Sequence, residues 1–153
     1  MKTIVINADD FGRSIERNEA IDYAFKCGLI GSAALMVNTP YTQDAVNKSI
    51  IGGYLNRLHC HFNIAGCEFG GYGFPVSEDI KKCPAFCKDG KFRSYGDYDR
   101  SNTILLKYSE EMFLELEAQY KKFIQITDGK ANYSHVDFHL WDNQRLPVAA
   151  ALG

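Results

Sequence analysis

Two aspartates stand side by side at Asp9 and Asp10, directly after the apolar run of "KTIVINADDFG". Like charges at adjacent positions repel and contribute nothing to a core, so a cation is the natural counterpart of such a pair. The chain has four histidines. All of them fall in two short segments: His59 and His61 in "LHCHFNI", and His135 and His139 in "SHVDFHLW". On a strand, residues two apart share a face. His59, His61 and Asn63 therefore point one way, opposite Cys60 and Phe62. His135, Asp137 and His139 likewise share a face, opposite Val136 and Phe138. A carboxylate and two imidazoles gathered at one rim make a divalent-metal site with open positions. One aspartate would hold the ion, and the other would act as base toward a water acidified by it. Each part also has a plainer reading. An Asp-Asp pair suits a helix N-terminus, where the macrodipole favours negative charge. His-x-His occurs in packed strands, and His-x-Asp-x-His can form a local hydrogen-bonded cluster. Joint placement at one edge is what favours the metal site.

For these segments to meet, strands must carry them to one edge. "KTIVIN" (residues 2–7) reads as a buried strand. Ser14 is the expected N-cap of a helix with Ile15, Ile21, Ala24 and Phe25 on one face, ending at Gly28 or Gly31. "SAALMVN" (32–38) is a second strand. It is followed by a helix with Thr39 as cap and Pro40 at its first position. "NRLHCHFNI" (56–64) is a third strand. "SEEMFLELEAQYKKFIQIT" is the clearest helix, with Met112, Phe113, Leu116, Tyr120, Phe123 and Ile124 as its apolar face and Gly129 beyond it. "YSHVDFHLW" (133–141) is a fourth strand, and "LPVAAALG" begins another helix. Strands alternating with helices predict an α/β fold with a parallel sheet and right-handed crossovers. Ligands then gather at the C-terminal strand ends, where both aspartates and every histidine are expected. Residues 65–107 differ in composition, being rich in Gly, Tyr, Phe and Lys without a sustained period. They read as a long insertion of the kind that covers or lines a site.

Length and composition agree with one domain over residues 1–153, which are 46% hydrophobic. The net charge of −2 comes with no basic stripe, which excludes a nucleic-acid binder. No apolar run approaches the ~20 residues of a membrane span, and the N-terminus lacks a signal-peptide pattern, so a cytoplasmic location is expected. Five cysteines without a secretion signal argue for free thiols rather than disulfides. Cys83 and Cys87 have no second pair at zinc-finger distance.

Three segments, "VINADDFGRS", "LHCHFNI" and "SHVDFHLW", resemble the signatures of the YdjC/ChbG-like family of carbohydrate deacetylases. "GLIGSAALMVNTP", "KDGKF" and "ELEAQYKKFIQITDGKANYSHVD" extend the resemblance over nearly the whole chain. It implies a (β/α)-barrel-like parallel sheet of the polysaccharide deacetylase type. It also implies a divalent ion, magnesium or zinc, and removal of acetyl groups from N-acetylated sugars such as chitooligosaccharides. Carried over by position, Asp10, His61 and His139 are the implied metal ligands and Asp9 the implied general base. His135 and Asp137 are implied supports orienting His139, and Asn63 a substrate contact. Trp141 and Asn143 stand where the family has further histidines, and His59 stands where it has glycine. Tyr72, Phe74, Tyr95 and Tyr98 in the insertion could stack on sugar rings or simply pin the loop.

Family members run well beyond Gly153, and a full eightfold barrel needs roughly 250 residues. An incomplete barrel, as a fragment or shortened product, is therefore expected, and its open edges would invite pairing with a second copy. A truncated homologue that binds sugar or metal without turnover is the principal rival reading. A phosphatase with an aspartate nucleophile is disfavoured, because such sites want Asp-x-Asp on one face.

Overall fold

The computed structural model describes residues 4–66, 73–94, 105–131 and 135–139. Four strands form one parallel sheet: β1 (Asn7–Phe11), β2 (Ser32–Leu35), β3 (Leu58–Phe62) and, last in the chain, Val136–Phe138. Each pairs in parallel with the next, Ala8 opposite Ala33, Ala34 opposite His59, and His61 opposite Asp137. Successive neighbours in one direction are the order of a (β/α)-barrel, of which these strands form an open segment. Helices α1 (Ile15–Lys26), α2 (Thr42–Ile51) and, after the insertion, Ser109–Ile126 provide the crossovers. The core lies between sheet and helices and centres on Phe11, Leu35, Leu58, Cys60, Met112 and Phe123, all essentially inaccessible.

The first strand departs from expectation. Residues 2–7 read as the strand, but β1 begins at Asn7, so both aspartates lie within it. Ile4, Val5 and Ile6 precede it and are exposed by 89%, 64% and 59%. The β1–β2 register shifts between Ala8 and Phe11, a bulge that contains Asp9 and Asp10.

Helix α1 starts as its sequence directs, the Ser14 hydroxyl accepting from the Arg17 N–H at 3.2 Å. It buries Ile21 and Phe25 while Ile15 stays exposed, and Gly28 follows it with φ +68°. Helix α2 begins at Thr42, not at the Thr39–Pro40 cap. Thr39 is diverted: its hydroxyl donates to the Gly12 carbonyl and accepts from the Tyr41 N–H.

The described part of the insertion has its own structure. It contains the short helix α3 (Glu78–Lys81) and a hairpin, β4 (Cys87–Lys88) with β5 (Lys91–Phe92). The hairpin turns through Asp89 and Gly90, both at positive φ. Ile80, Phe86 and Phe92 anchor this unit in the core. The long helix that follows is α4 (Ser109–Ile126), and the last strand is β6 (Val136–Phe138). On α4, Met112, Leu116 and Phe123 are buried, whereas Phe113 and Ile124 are exposed. Two polar residues, Glu115 and Gln119, take places on its buried side. Cys27, Cys60, Cys83 and Cys87 are free thiols. No helix among the described residues is long and apolar enough to cross a membrane. Cys67, Tyr72, Tyr95, Tyr98, Trp141, Asn143 and the expected final helix lie outside the described residues.

Candidate metal centre

Three side chains converge at the C-terminal edge of the sheet. Asp10 comes from the bulge of β1, His61 from β3, and His139 from the position just after β6. Their potential ligand atoms all lie within 4.8 Å of one another. Asp10 Oδ1 sits 2.8 Å from His139 Nδ1 and 3.3 Å from His61 Nε2. The His139 main chain is fixed by its N–H, which donates to the Phe62 carbonyl at 2.8 Å. Both imidazoles are almost wholly buried.

Neither ring nitrogen of His61 makes a hydrogen bond, and the 3.3 Å approach to Asp10 lacks hydrogen-bond geometry. A buried imidazole without a hydrogen-bond partner calls for one. A cation held jointly by Asp10, His61 and His139 meets that need with a donor set of two nitrogens and an oxygen, the kind that zinc and its neighbours take. The residues therefore fit a divalent ion. Asp10 is prepared for it electrostatically. Burial opposes its ionisation, but the adjoining His139 and His61 outweigh burial and hold the carboxyl far below its ordinary pKa.

Asp9 is exposed and stands outside this group, its Oδ1 accepting from Asn7 Nδ2 at 2.8 Å. Asp137 lies nearer His61 than expected, one oxygen 3.9 Å from His61 Nδ1, while its Oδ1 accepts from the Phe138 N–H at 2.7 Å. Support of His139 by this carboxylate was the expectation; the observed contact is with His61. His135 packs its ring against His59 with centroids 4.0 Å apart, one layer below the site. Burial, and then the neighbouring His135, push the His59 imidazole down to about 4, so it is neutral near pH 7. Asn63 is buried, and its side chain serves the loop: Oδ1 accepts from the Ala65 N–H at 3.1 Å and Nδ2 faces Asn38 Oδ1 at 3.4 Å. Phe74 is partly exposed beyond it, its N–H donating to the Asn38 carbonyl.

Sequence reasoning missed two features. Arg13 pairs with Asp10, Nη1 to Oδ2 at 2.8 Å; its spacing of three residues after an aspartate was the available signal. Glu115 and Gln119 form a buried polar relay from α4 to Asn63, the residue just after β3. Gln119 accepts from the Asn63 N–H at 3.1 Å, donates to the Asn63 carbonyl at 2.8 Å, and donates to Glu115 at 2.7 Å. Glu115 in turn accepts from the N–H groups of Val76 and Ser77. The i,i+4 spacing of two polar residues amid an apolar helix face was the clue.

The chain is similar to several known proteins. A carbohydrate deacetylase of Danio rerio is 28% identical over 95% of this chain and 42% of its own length. A chitooligosaccharide deacetylase of Salmonella typhimurium is 28% identical over 97% of this chain and 54% of its own. The chain thus spans about half the length of these curated relatives. A crystal structure from Enterococcus faecalis V583, named for a proposed role in cellobiose-phosphate cleavage, superposes with a TM-score of 0.72 at 24% identity. It covers 97% of this chain and 54% of its own, and it shares the fold. The YdjC-like protein profile matches residues 3–150, and the chain belongs to that family.

Proposed function

We propose that this chain carries the metal-binding half of a carbohydrate N-deacetylase, hydrolysing the acetamide of an N-acetylated sugar such as a chitooligosaccharide. The observation that carries the reading is the convergence of Asp10, His61 and His139 from three separate strands. Relatives named carbohydrate deacetylase supply the substrate class. Two imidazoles and a carboxylate suit zinc better than magnesium, which prefers an all-oxygen shell.

In this reading Asp10, His61 and His139 hold the ion, which supplies Lewis acidity toward the acetyl oxygen and toward a water. Asp9, exposed beside Asp10, receives the proton of the attacking water at its carboxylate. Asp137, 3.9 Å from His61 Nδ1 and beyond hydrogen-bond reach, attracts that edge of the ring while Nε2 faces the site. The buried, neutral His59 lies in the layer beneath, its ring against that of the exposed His135. Asn63 acts at one remove, holding the loop that follows His61.

The test is acetate release from di-N-acetylchitobiose by the purified chain, with zinc or magnesium and with chelator. Release that is chelator-sensitive and abolished in Asp9→Asn supports the reading. The same assay separates a second reading, a homologue that binds metal or sugar without turnover. Zinc binding without acetate release under any metal selects it.

A further inference from the structure

Asp10 has two carboxylate oxygens, and they face different partners. Oδ1 faces His139 and His61, whereas Oδ2 is taken by Arg13 at 2.8 Å. The Arg13 and Asp10 side chains are only 15% and 14% exposed, so this pair is largely shielded from water and from salt. Its geometry is built into the fold. The Arg13 N–H donates to the Asp10 carbonyl at 3.1 Å, closing a turn across Phe11 and Gly12. Gly12 has φ +94°, and a Cβ there would come within 2.8 Å of the Met36 carbonyl. The Gly12 N–H is pinned by the buried Asn18 side chain at 2.7 Å, and Asn18 is itself tied to Asp44 and to the Tyr41 carbonyl. The turn that carries Arg13 is therefore fixed to α1 and α2.

We propose that Arg13 is a positioning residue that restricts Asp10 to one-oxygen ligation. By holding Oδ2 it leaves only Oδ1 to the cation site, which keeps coordination positions open for water and for the acetyl oxygen. The guanidinium also offsets the charge of Asp10. The formal charges of Asp10 and Arg13 cancel, so a bound divalent ion keeps its full electrophilic charge. The arrangement gives up some affinity for the ion in exchange for reactivity. This inference rests on the metal-site reading above.

The test compares zinc affinity by competition with a chromophoric chelator, and the visible spectrum of the cobalt(II)-loaded chain, in wild type, Arg13→Gln and Arg13→Lys. In Arg13→Gln, Asp10 is free to turn both oxygens to the ion and a like charge is gone. Zinc binding should tighten about tenfold or more, and the cobalt bands should weaken as the coordination number rises. Arg13→Lys retains the positive charge and should stay within about threefold of wild type on the same argument. Where Arg13→Gln does not fold, Arg13→Met keeps the aliphatic stem and gives the same readout. Unchanged or weaker zinc binding with an unaltered cobalt spectrum in the charge-removing variant overturns the role of Arg13 alone. Failure of the folded wild-type chain to bind zinc or cobalt overturns the metal site and this inference together.

Discussion

Replacing Gln119 with leucine tests the link between the outer helix and the site. Leucine is similar in volume, so no large cavity opens. The buried Asn63 N–H, just beyond the end of β3, loses its acceptor. The Asn63 carbonyl keeps a second donor, Asn38 Nδ2 at 2.8 Å. Glu115 Oε1 loses the Gln119 donor at 2.7 Å but keeps Val76. An orphaned buried amide costs about 1–3 kcal/mol, and a hydrogen bond to a charged acceptor contributes about 1.5–3 kcal/mol. Better burial of the apolar leucine offsets about 1 kcal/mol, leaving a net loss near 3 kcal/mol. For a domain of this size that is a large share of the usual 5–15 kcal/mol or so. Urea unfolding followed by circular dichroism should show a lower midpoint at unchanged slope. Because Asn63 follows His61 by two residues, zinc binding should weaken as well. A stability loss under about 1 kcal/mol would refute the relay as a structural element, since it would mean the amide finds water instead.

Three further predictions follow from single features. Zinc at about a hundred times its Kd should raise the unfolding free energy by about 2.7 kcal/mol, a gain visible as a thermal shift and absent in Asp10→Asn and His61→Gln; equal shifts in all three would remove the metal from this site. Burial raises the Glu115 carboxyl above its ordinary pKa of 4.5, against the pull of Gln119 and the Ser77 and Val76 amides. The folded state thus holds this proton more tightly than the unfolded state, so wild type should gain stability relative to Glu115→Gln as pH falls from neutral toward 4.5; a difference that stays constant with pH would contradict it. Gly12→Ala and Gly90→Ala both meet positive φ, but only Gly12 faces a carbonyl at 2.8 Å while Gly90 has open space. Gly90→Ala should cost about 1 kcal/mol and Gly12→Ala at least twice that, measured by chemical unfolding; equal losses would show that backbone conformation alone matters.

The site was legible to the extent that its residues obey strand alternation. His61 and His139 could be placed on one rim because β3 and β6 are regular where they pair, His61 lying opposite Asp137. The long helix was legible from its 3.6-residue repeat, though its buried side turned out narrower than its apolar residues, with Phe113 and Ile124 left exposed. What periodicity could not show was polar burial. Glu115 and Gln119 interrupt the apolar pattern and are read as solvent-facing until their partners, Asn63 after β3 and Val76 and Ser77 in the insertion, are seen. Thr39 misled for a related reason: it has the chemistry of a helix cap, but the Gly12 carbonyl competes for its hydroxyl. The hairpin over Cys87–Phe92 turns at "KDGK", where Asp89 and Gly90 both take positive φ, and its two-residue strands are too short to register as a period.

The bulge decides which of the adjacent aspartates serves the rim. In a regular strand Asp9 and Asp10 would face opposite sides of the sheet, and only one could serve the rim. Asp10 instead adopts φ +66°, inside the register shift of β1. That breaks the alternation and re-aims the side chain, the usual use of a bulge beside a site. Left-handed backbone at a non-glycine residue costs about 1–2 kcal/mol, and aspartate is among the few side chains that take it readily. The conformation persists because the carboxylate is over-determined: His139 and His61 draw on one oxygen and Arg13 on the other. Strain in β1 and satisfaction of Asp10 are two sides of one arrangement. It accounts for β1 occupying Asn7–Phe11, through the aspartates, instead of the apolar run before them.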